Sequence, residues 1–376
     1  MKRYIEKYVL DDLKKKMVFV GGPRQVGKTI LSKNIATHYK KSTYLNLDSA
    51  DDRQIILKHR WPPEDNLVIF DELHKYPKWK RWIKGIYDTK PTNQQYLVTG
   101  SARLDVYRRG GDSLLGRYHY WRLHPFTLDE HPHTISDTDT YHRLMTLGGF
   151  PEPFLENSLQ NAKRWRSERL IRVIREDLRD LENVREIQSL QIFSDLLRDR
   201  VGGMLSYANL AQDVGIAPKT AKAWIQLLEK MYLLFPIYPF TKAIPRAIQK
   251  PPKIYFYDNA DCEDNEPVRL ENLVATHLLK RLHFREDYFG ERCSLHYIRD
   301  RNNREVDFVT VIDGKIHELI EVKPRDSKPS SALQYYKNFL KPEKTVQIVG
   351  NLSKSFEQNG ILVINPIQYF KNPPWE

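Results

Sequence analysis

The stretch GGPRQVGKT, residues 21–29, constrains this chain more than any other. Within it Gly22 is followed, after four residues, by Gly27, Lys28 and Thr29, the spacing of a phosphate-binding loop. Glycines let backbone N–H groups turn toward phosphate oxygens. Lys28 then reaches the β- and γ-phosphates, and the Thr29 hydroxyl suits Mg²⁺. Gly22, Pro23, Arg24, Gln25, Val26, Gly27, Lys28 and Thr29 are therefore the candidate nucleotide cradle. Such a loop works only between a strand and a helix. Apolar Met17–Val20 precedes it and a helical run from Lys28 follows it. The chain is thereby committed to an α/β fold with a parallel sheet, its strands alternating with helices.

Further strands are expected at 42–48, 66–72, 94–101 and 117–123. The run NLVIFDE ends in Asp71 and Glu72. An aspartate there can hold Mg²⁺, and the neighbouring glutamate can orient and deprotonate an attacking water. Thr99 and Ser101, at the end of QQYLVTGS, are candidates to hydrogen-bond that water or the γ-phosphate. Arg117 is a candidate to stabilise phosphoryl-transfer charge, within the chain or across a subunit interface. The helix around KWKRWIK places Trp79, Trp82, Ile83 and Ile86 at helical spacing, which fits packing on the sheet better than nucleic-acid contact.

The segments GGPRQVGKT, LVIFDELHKYPKW, LVTGSARL, SLLGRYHYWRLHPFTLDE and GGFPEPF together resemble a prokaryotic AAA-type ATPase group whose members carry a C-terminal domain of unknown function, DUF4143. The resemblance implies an AAA+ nucleotide-binding core using ATP and Mg²⁺. Lys28 and Thr29 would then occupy Walker A positions and Asp71 and Glu72 Walker B positions. It also implies a sensor role for Thr99 or Ser101 and a finger role for Arg117.

With 376 residues, more than one domain is expected. Polar and Gly/Pro-punctuated stretches divide the chain into an ATPase domain (1–135), a helical and winged-helix domain (136–250) and a C-terminal α/β domain (251–376). No apolar run is long enough to span a membrane, and the charged N-terminus lacks a signal-peptide core. Two cysteines, Cys262 and Cys293, imply neither a disulfide framework nor a metal site. A cytoplasmic protein is the expectation. A net charge of +12 favours an acidic partner, nucleic acid and specifically DNA first; plain solubility is the alternative.

Residues 205–234 read as a helix-turn-helix. Ser206 caps the first helix, Gly215 sits in the turn and Pro218 opens the second helix. Lys219, Lys222 and Gln226 lie off its apolar stripe. Lys242, Arg246, Lys250 and Lys253 outline a basic wing that suits DNA; packing against the core or another subunit is the alternative.

Near the C-terminus an Asp313-Gly314 turn joins two apolar runs, a hairpin signal. Asp307, Glu321 and Lys323 interrupt those runs, and alternation places Asp307 on one face with Val309 and Val311. Glu271 lies on the apolar stripe of the helix ENLVATHLLKRL and so points inward. Convergent carboxylates suit a hard cation, with Asp307 and Glu321 as ligands and Lys323 positioning a water. This arrangement resembles the PD-(D/E)xK restriction-endonuclease-like fold, which implies catalytic roles for Glu271, Asp307, Glu321 and Lys323. Three readings stay open: a metal-dependent nuclease, a nuclease-like fold whose carboxylates serve binding or structure, and simple salt bridging by Lys323. The functional expectation is an ATP-hydrolysing protein, as a homo-oligomer, that couples nucleotide state to DNA. The alternative is a nucleotide-dependent switch or scaffold for a protein partner.

Overall fold

The structure, a computed structural model, describes residues 2–100, 114–173, 187–241 and 251–373. The chain divides into two compact units, Met1–His124 and Pro125–Glu376.

The first unit contains helices α1 (Glu6–Leu13), α2 (Lys28–Ala36), α3 (Ala50–Lys58) and α4 (Trp79–Asp88) and strands β1 (Met17–Gly21), β2 (Ser42–Asn46), β3 (Leu67–Asp71), β4 (Gln95–Thr99) and β5 (Tyr118–Arg122). The five strands expected from the sequence are all present. They pair in parallel in the order β2-β3-β4-β1-β5. Every residue of β1 and β3 is buried, as strands covered on both faces require. Trp79, Ile83 and Ile86 of α4 join Phe19, Phe70 and Tyr96 in one core cluster, so α4 packs on the sheet as its spacing predicts.

In the second unit, α5 (Asp137–Thr146), α6 (Pro151–Glu156), α7 (Leu159–Arg172), α8 (Ile187–Arg198), α9 (Tyr207–Val214) and α10 (Pro218–Lys230) precede strands β6 (Leu234–Pro239) and β7 (Lys253–Phe256). The helix-turn-helix signals act as read. Ser206 Oγ accepts the Asn209 N–H at 3.2 Å, Gly215 has φ +72° and Pro218 starts α10. Helix α11 (Glu266–Phe284) follows, then β8 (Cys293–Arg299), β9 (Glu305–Ile312), β10 (Lys315–Lys323), α12 (Ser331–Leu340), β11 (Lys344–Val349), β12 (Phe356–Gln358), β13 (Ile361–Ile364) and α13 (Pro366–Phe370).

Strands β6–β13 form one mixed sheet, ordered β12-β13-β11-β10-β9-β8-β6-β7. Strand β6 lies before the boundary expected at residue 250 and β8 after it, yet they pair in parallel at Tyr238 and Pro239. Strands β9 and β10 form the expected hairpin. Asp313 (φ +49°) and Gly314 (φ +79°) both adopt the left-handed conformation that a tight two-residue turn demands.

Two irregularities shape the sheet. The pairing of β8 with β9 slips by one residue between His296↔Val309 and Ile298↔Val306, so Asp307 and Phe308 together oppose Tyr297. This bulge corrects the alternation assumed from sequence: Val306, and not Asp307, shares a core cluster with Val309 and Val311. The second slip, in β10, leaves His317 as the extra residue.

Candidate functional site

The phosphate loop owes its shape to residues that tolerate unusual backbone. Gly22 has φ +135°, and a Cβ there would lie 2.4 Å from the Leu123 carbonyl oxygen, so only glycine fits. The loop is braced from the N-terminal segment: Arg3 Nη1 donates to the Val26 carbonyl at 2.6 Å and Nη2 to the His124 carbonyl at 2.5 Å. Lys28 is buried, and its ammonium donates to the carbonyls of Gly22 (2.9 Å) and Pro23 (2.6 Å). The loop thus holds the lysine at the position where phosphate oxygens would replace those carbonyls.

Strand order places the acidic end of β3 beside this loop. Register sets Thr99 against both Val20 and Asp71, so β4 lies between the loop strand and the aspartate strand. Asp71 is buried and gathers four neutral donors. Oδ2 accepts from Thr29 Oγ1 (3.0 Å) and the Tyr44 hydroxyl (2.5 Å); Oδ1 accepts from Thr99 Oγ1 (2.5 Å) and the Glu72 N–H (3.1 Å). No ammonium or guanidinium is among these donors, so the charge of the carboxylate is oriented rather than cancelled. An oxygen-only set built from Thr29 and Asp71 suits a hard divalent ion, and the residues fit Mg²⁺. Tyr44 was not singled out by sequence reading; its burial, its hydrogen bond and its nearness to Asp71 raise its pKa.

Glu72 adopts a left-handed conformation (φ +56°) at the end of β3. Its Oε2 lies 3.4 Å from His74 Nε2 and 3.7 Å from Lys75 Nζ. Burial pushes its pKa up, opposed by Lys28 and Lys75. A half-buried carboxylate with raised proton affinity, close enough to feel the phosphate-loop lysine, suits a general base.

The C-terminal carboxylates converge by a different route. Glu271 near the start of α11 and Glu305 and Asp307 on β9 surround Lys253 of β7, and Glu321 on β10 lies beside Asp307. Lys253 Nζ lies 2.6 Å from Glu305, 3.5 Å from Glu271 and 3.8 Å from Asp307. The Tyr255 hydroxyl donates to Glu271 at 2.7 Å, and the Val322 N–H donates to Asp307 at 2.8 Å. Lys323 pairs with Glu321 at 2.7 Å, leaving Glu321 Oε2 buried with no hydrogen-bond partner. Arg299 takes the second oxygen of Glu305 at 2.9 Å. Burial pushes Glu271 and Glu321 up to about 7, and the Asp307 charge adds to both. Burial also raises Asp307, opposed by Lys253.

These positions correct two expectations. Lys253 carries no wing: its side chain is 3% exposed and forms the centre of a carboxylate cluster. The inward glutamate, Asp307 and Glu321 do come together, but the cation among Glu271, Glu305 and Asp307 is a lysine missed in that role. Among the described residues, no three His, Cys, Asp or Glu side chains are arranged to hold a metal ion. As arranged, this cluster does not fit a divalent cation. The other wing residues, Lys242, Arg246 and Lys250, lie outside the described residues.

Residues 14–131 match the model of an AAA domain. This region is an AAA-type P-loop core. Residues 138–260 match DUF8612 and residues 269–370 match DUF4143, both domains of unknown function. The chain is 24% identical over 247 residues to an uncharacterized protein of Mycobacterium tuberculosis, covering 64% of this chain and 54% of that one. It is 25% identical over 312 residues to an uncharacterized protein of Methanocaldococcus jannaschii, covering 68% and 63%. The chain thus spans about half the length of the mycobacterial relative. Among solved structures, it is similar to a Walker-type ATPase of Pyrococcus abyssi (15% identity, TM-score 0.40, 61% of this chain and 89% of that one). Another is a Bacteroides Pif1 bound to ssDNA (13% identity, TM-score 0.23, 42% and 49%).

Arg117, the remaining described candidate of the AAA core, stands apart from this cradle. Arg117 pairs with Asp88 through Nε (2.7 Å) and Nη2 (3.1 Å). It immediately precedes β5, whose first residue pairs with Met17, whereas the phosphate loop follows the far end of β1. Arg117 therefore does not face the loop of its own chain. Ser101 lies outside the described residues. Within the second unit, Lys219, Lys222 and Gln226 are exposed on α10, whereas Trp224 and Leu228 are buried. Among the described residues no helix is long and apolar enough to cross a membrane.

Proposed function

We propose that this protein hydrolyses ATP at its AAA core and uses the cycle to control engagement of DNA. The observation that carries the first part is the Asp71 carboxylate, held by the neutral donors Thr29, Tyr44 and Thr99 at the end of a strand of the phosphate-loop sheet. Thr29 and Asp71 would hold Mg²⁺, which neutralises charge on the β- and γ-phosphates when bound. Lys28 exchanges the Gly22 and Pro23 carbonyls for phosphate oxygens. Glu72 orients a water and accepts its proton as the oxygen attacks the γ-phosphorus; the bond to the ADP oxygen breaks, and ADP and phosphate leave. Thr99 fixes the second oxygen of Asp71 and is a positioning residue. Arg117, directed away from its own loop, would have to exchange Asp88 for the nucleotide of a neighbouring subunit to act as a finger in a homo-oligomer.

DNA engagement is supported by the net charge of +12 and by the exposed Lys219, Lys222 and Gln226 face of the second helix in the helix-turn-helix. For the carboxylate cluster we take the reading in which a nuclease-like arrangement serves structure or binding, because Lys253 already compensates its charge.

ATP turnover by the parent, Lys28→Ala and Glu72→Gln proteins tests the core assignment. Both variants are expected to lose on the order of 100-fold or more; turnover equal to the parent rejects it. The affinity of Lys219→Ala/Lys222→Ala protein for duplex DNA tests the second part. Weaker binding with a shallower salt dependence is expected. Unchanged or salt-insensitive association favours a nucleotide-dependent scaffold for a protein partner instead.

A further inference from the structure

Buried charge must be balanced, and the C-terminal cluster can be counted. Glu271 and Asp307 share the Lys253 ammonium, and the pairing of Ile320 with Phe308 together with the Val322 N–H bond to Asp307 (2.8 Å) sets Glu321 beside Asp307. Lys253 and Lys323 reach the same group. Glu305 joins the group through Lys253 and is paired with Arg299, so with all four carboxylates ionised and Lys253, Lys323 and Arg299 in place one negative charge remains. A divalent ion added to that group would leave a net positive charge in a largely buried cluster, which is costly. With Lys253 removed, two negative charges remain, and a divalent ion balances them.

Geometry leads to the same alternative. Lys253 Nζ lies 2.6–3.8 Å from oxygens of Glu305, Glu271 and Asp307. Mg²⁺ requires oxygens at about 2.0–2.1 Å, so the ammonium and an ion cannot share that space. Two features show the pocket is built rather than incidental. Glu321 Oε2 is buried without a hydrogen-bond partner. Gly202 (φ +73°) also closes over Glu271: a Cβ there would lie 2.9 Å from Oε1. The backbone around Gly202 is tied to the segment carrying Lys253, with Gly202 N–H donating to the Ile254 carbonyl (3.2 Å) and Leu205 N–H to the Pro252 carbonyl (2.8 Å).

We propose that the Lys253 ammonium is the resident cation of this site, excluding divalent metal from Glu271, Glu305 and Asp307. Replacing Lys253 by an apolar residue of similar length turns the cluster into a divalent-cation site. This rests on the reading of the cluster as structural rather than hydrolytic; it is independent of the ATPase assignment, which ATP turnover tests separately.

The test is Mn²⁺ titration of the full-length, nucleotide-free protein, with free Mn²⁺ followed by electron paramagnetic resonance and unfolding by circular dichroism. Asp307→Asn in each background identifies ions held at this cluster. The parent is expected to show no Asp307-dependent Mn²⁺. Lys253→Met should gain Asp307-dependent binding, tighter by on the order of 100-fold, the effect of one nearby charge. Its melting temperature should rise with Mn²⁺ while that of the parent does not. Lys253→Arg, which keeps the cation, should exclude Mn²⁺. Asp307-dependent Mn²⁺ binding by the parent overturns the proposal even if Lys253→Met fails to fold, and so does a folded Lys253→Met that binds no more Mn²⁺ than the parent.

Discussion

Both units gather carboxylates near strand ends, yet they satisfy them with opposite chemistry. Asp71 is surrounded by hydroxyls and one backbone N–H. Such donors fix both oxygens while leaving the charge intact for a cation that arrives with nucleotide. Glu271, Glu305, Asp307 and Glu321 are instead met by Lys253, Lys323 and Arg299. Most of their charge is compensated within the fold. Similar residue types therefore make a poised site in one place and a closed one in the other. What separates them is whether the donors are neutral or charged.

The sharpest break between the two sites concerns Asp71→Asn. It should lower ATP turnover by on the order of 1,000-fold, because the oxygen set loses its charge. Its unfolding midpoint should move little, since the amide oxygen keeps one pair of donors and hydroxyls facing the NH₂ can turn to accept from it. Steady-state turnover and a urea titration together check this. A large loss of stability with turnover preserved would reverse the roles assigned here.

Lys253→Ala should do the converse, destabilising the protein by about 3–5 kcal/mol, because removing one partner of a buried pair strands the others. A denaturant titration checks it; a change below about 1 kcal/mol would mean that Glu305 and its neighbours are satisfied without the lysine.

A smaller effect concerns pH. Glu271 and Glu321 are raised to about 7 in the fold. Protonated carboxyls are thus favoured by folding. Their contribution is fully present below the unfolded value near 4.5 and is lost as pH rises through about 7. Stability should therefore fall between pH 5 and pH 8 by on the order of 1–3 kcal/mol. Glu321→Gln should flatten that slope; an unchanged slope would remove Glu321 from the cluster's titration.

Smallest is Tyr44→Phe. Loss of one hydrogen bond to a carboxylate is expected to weaken Mg²⁺-ATP binding by about tenfold. If affinity is unchanged, the tyrosine only fills space beside Asp71.

What was legible in the sequence follows from how local each signal is. The phosphate loop is one contiguous run, and Asp71-Glu72 ends one apolar strand, so strand order alone had to bring them together. The five parallel strands and the Asp313-Gly314 hairpin were equally readable, because each depends on adjacent residues. Tyr44 was not, because its bond to Asp71 spans 27 residues and exists only through the β2–β3 register. Lys253 was harder still. It looked like one more cation in a basic stretch, and nothing near it in sequence reveals Glu271, Glu305 or Asp307. The bulge at Asp307 compounded this, since one extra residue reverses the face that period-two counting assigns. Arg117 shows the limit of motif reading: its place after a glycine suggested a phosphate contact, and the parallel register puts it at the wrong end of the sheet.

The most direct test of the central claim is to count Mn²⁺ on the full-length protein saturated with a non-hydrolysable ATP analogue. One ion per chain is expected, lost in Lys28→Ala and Asp71→Asn proteins and retained in Asp307→Asn protein. Two ions per chain, or loss of an ion in Asp307→Asn protein, would contradict it.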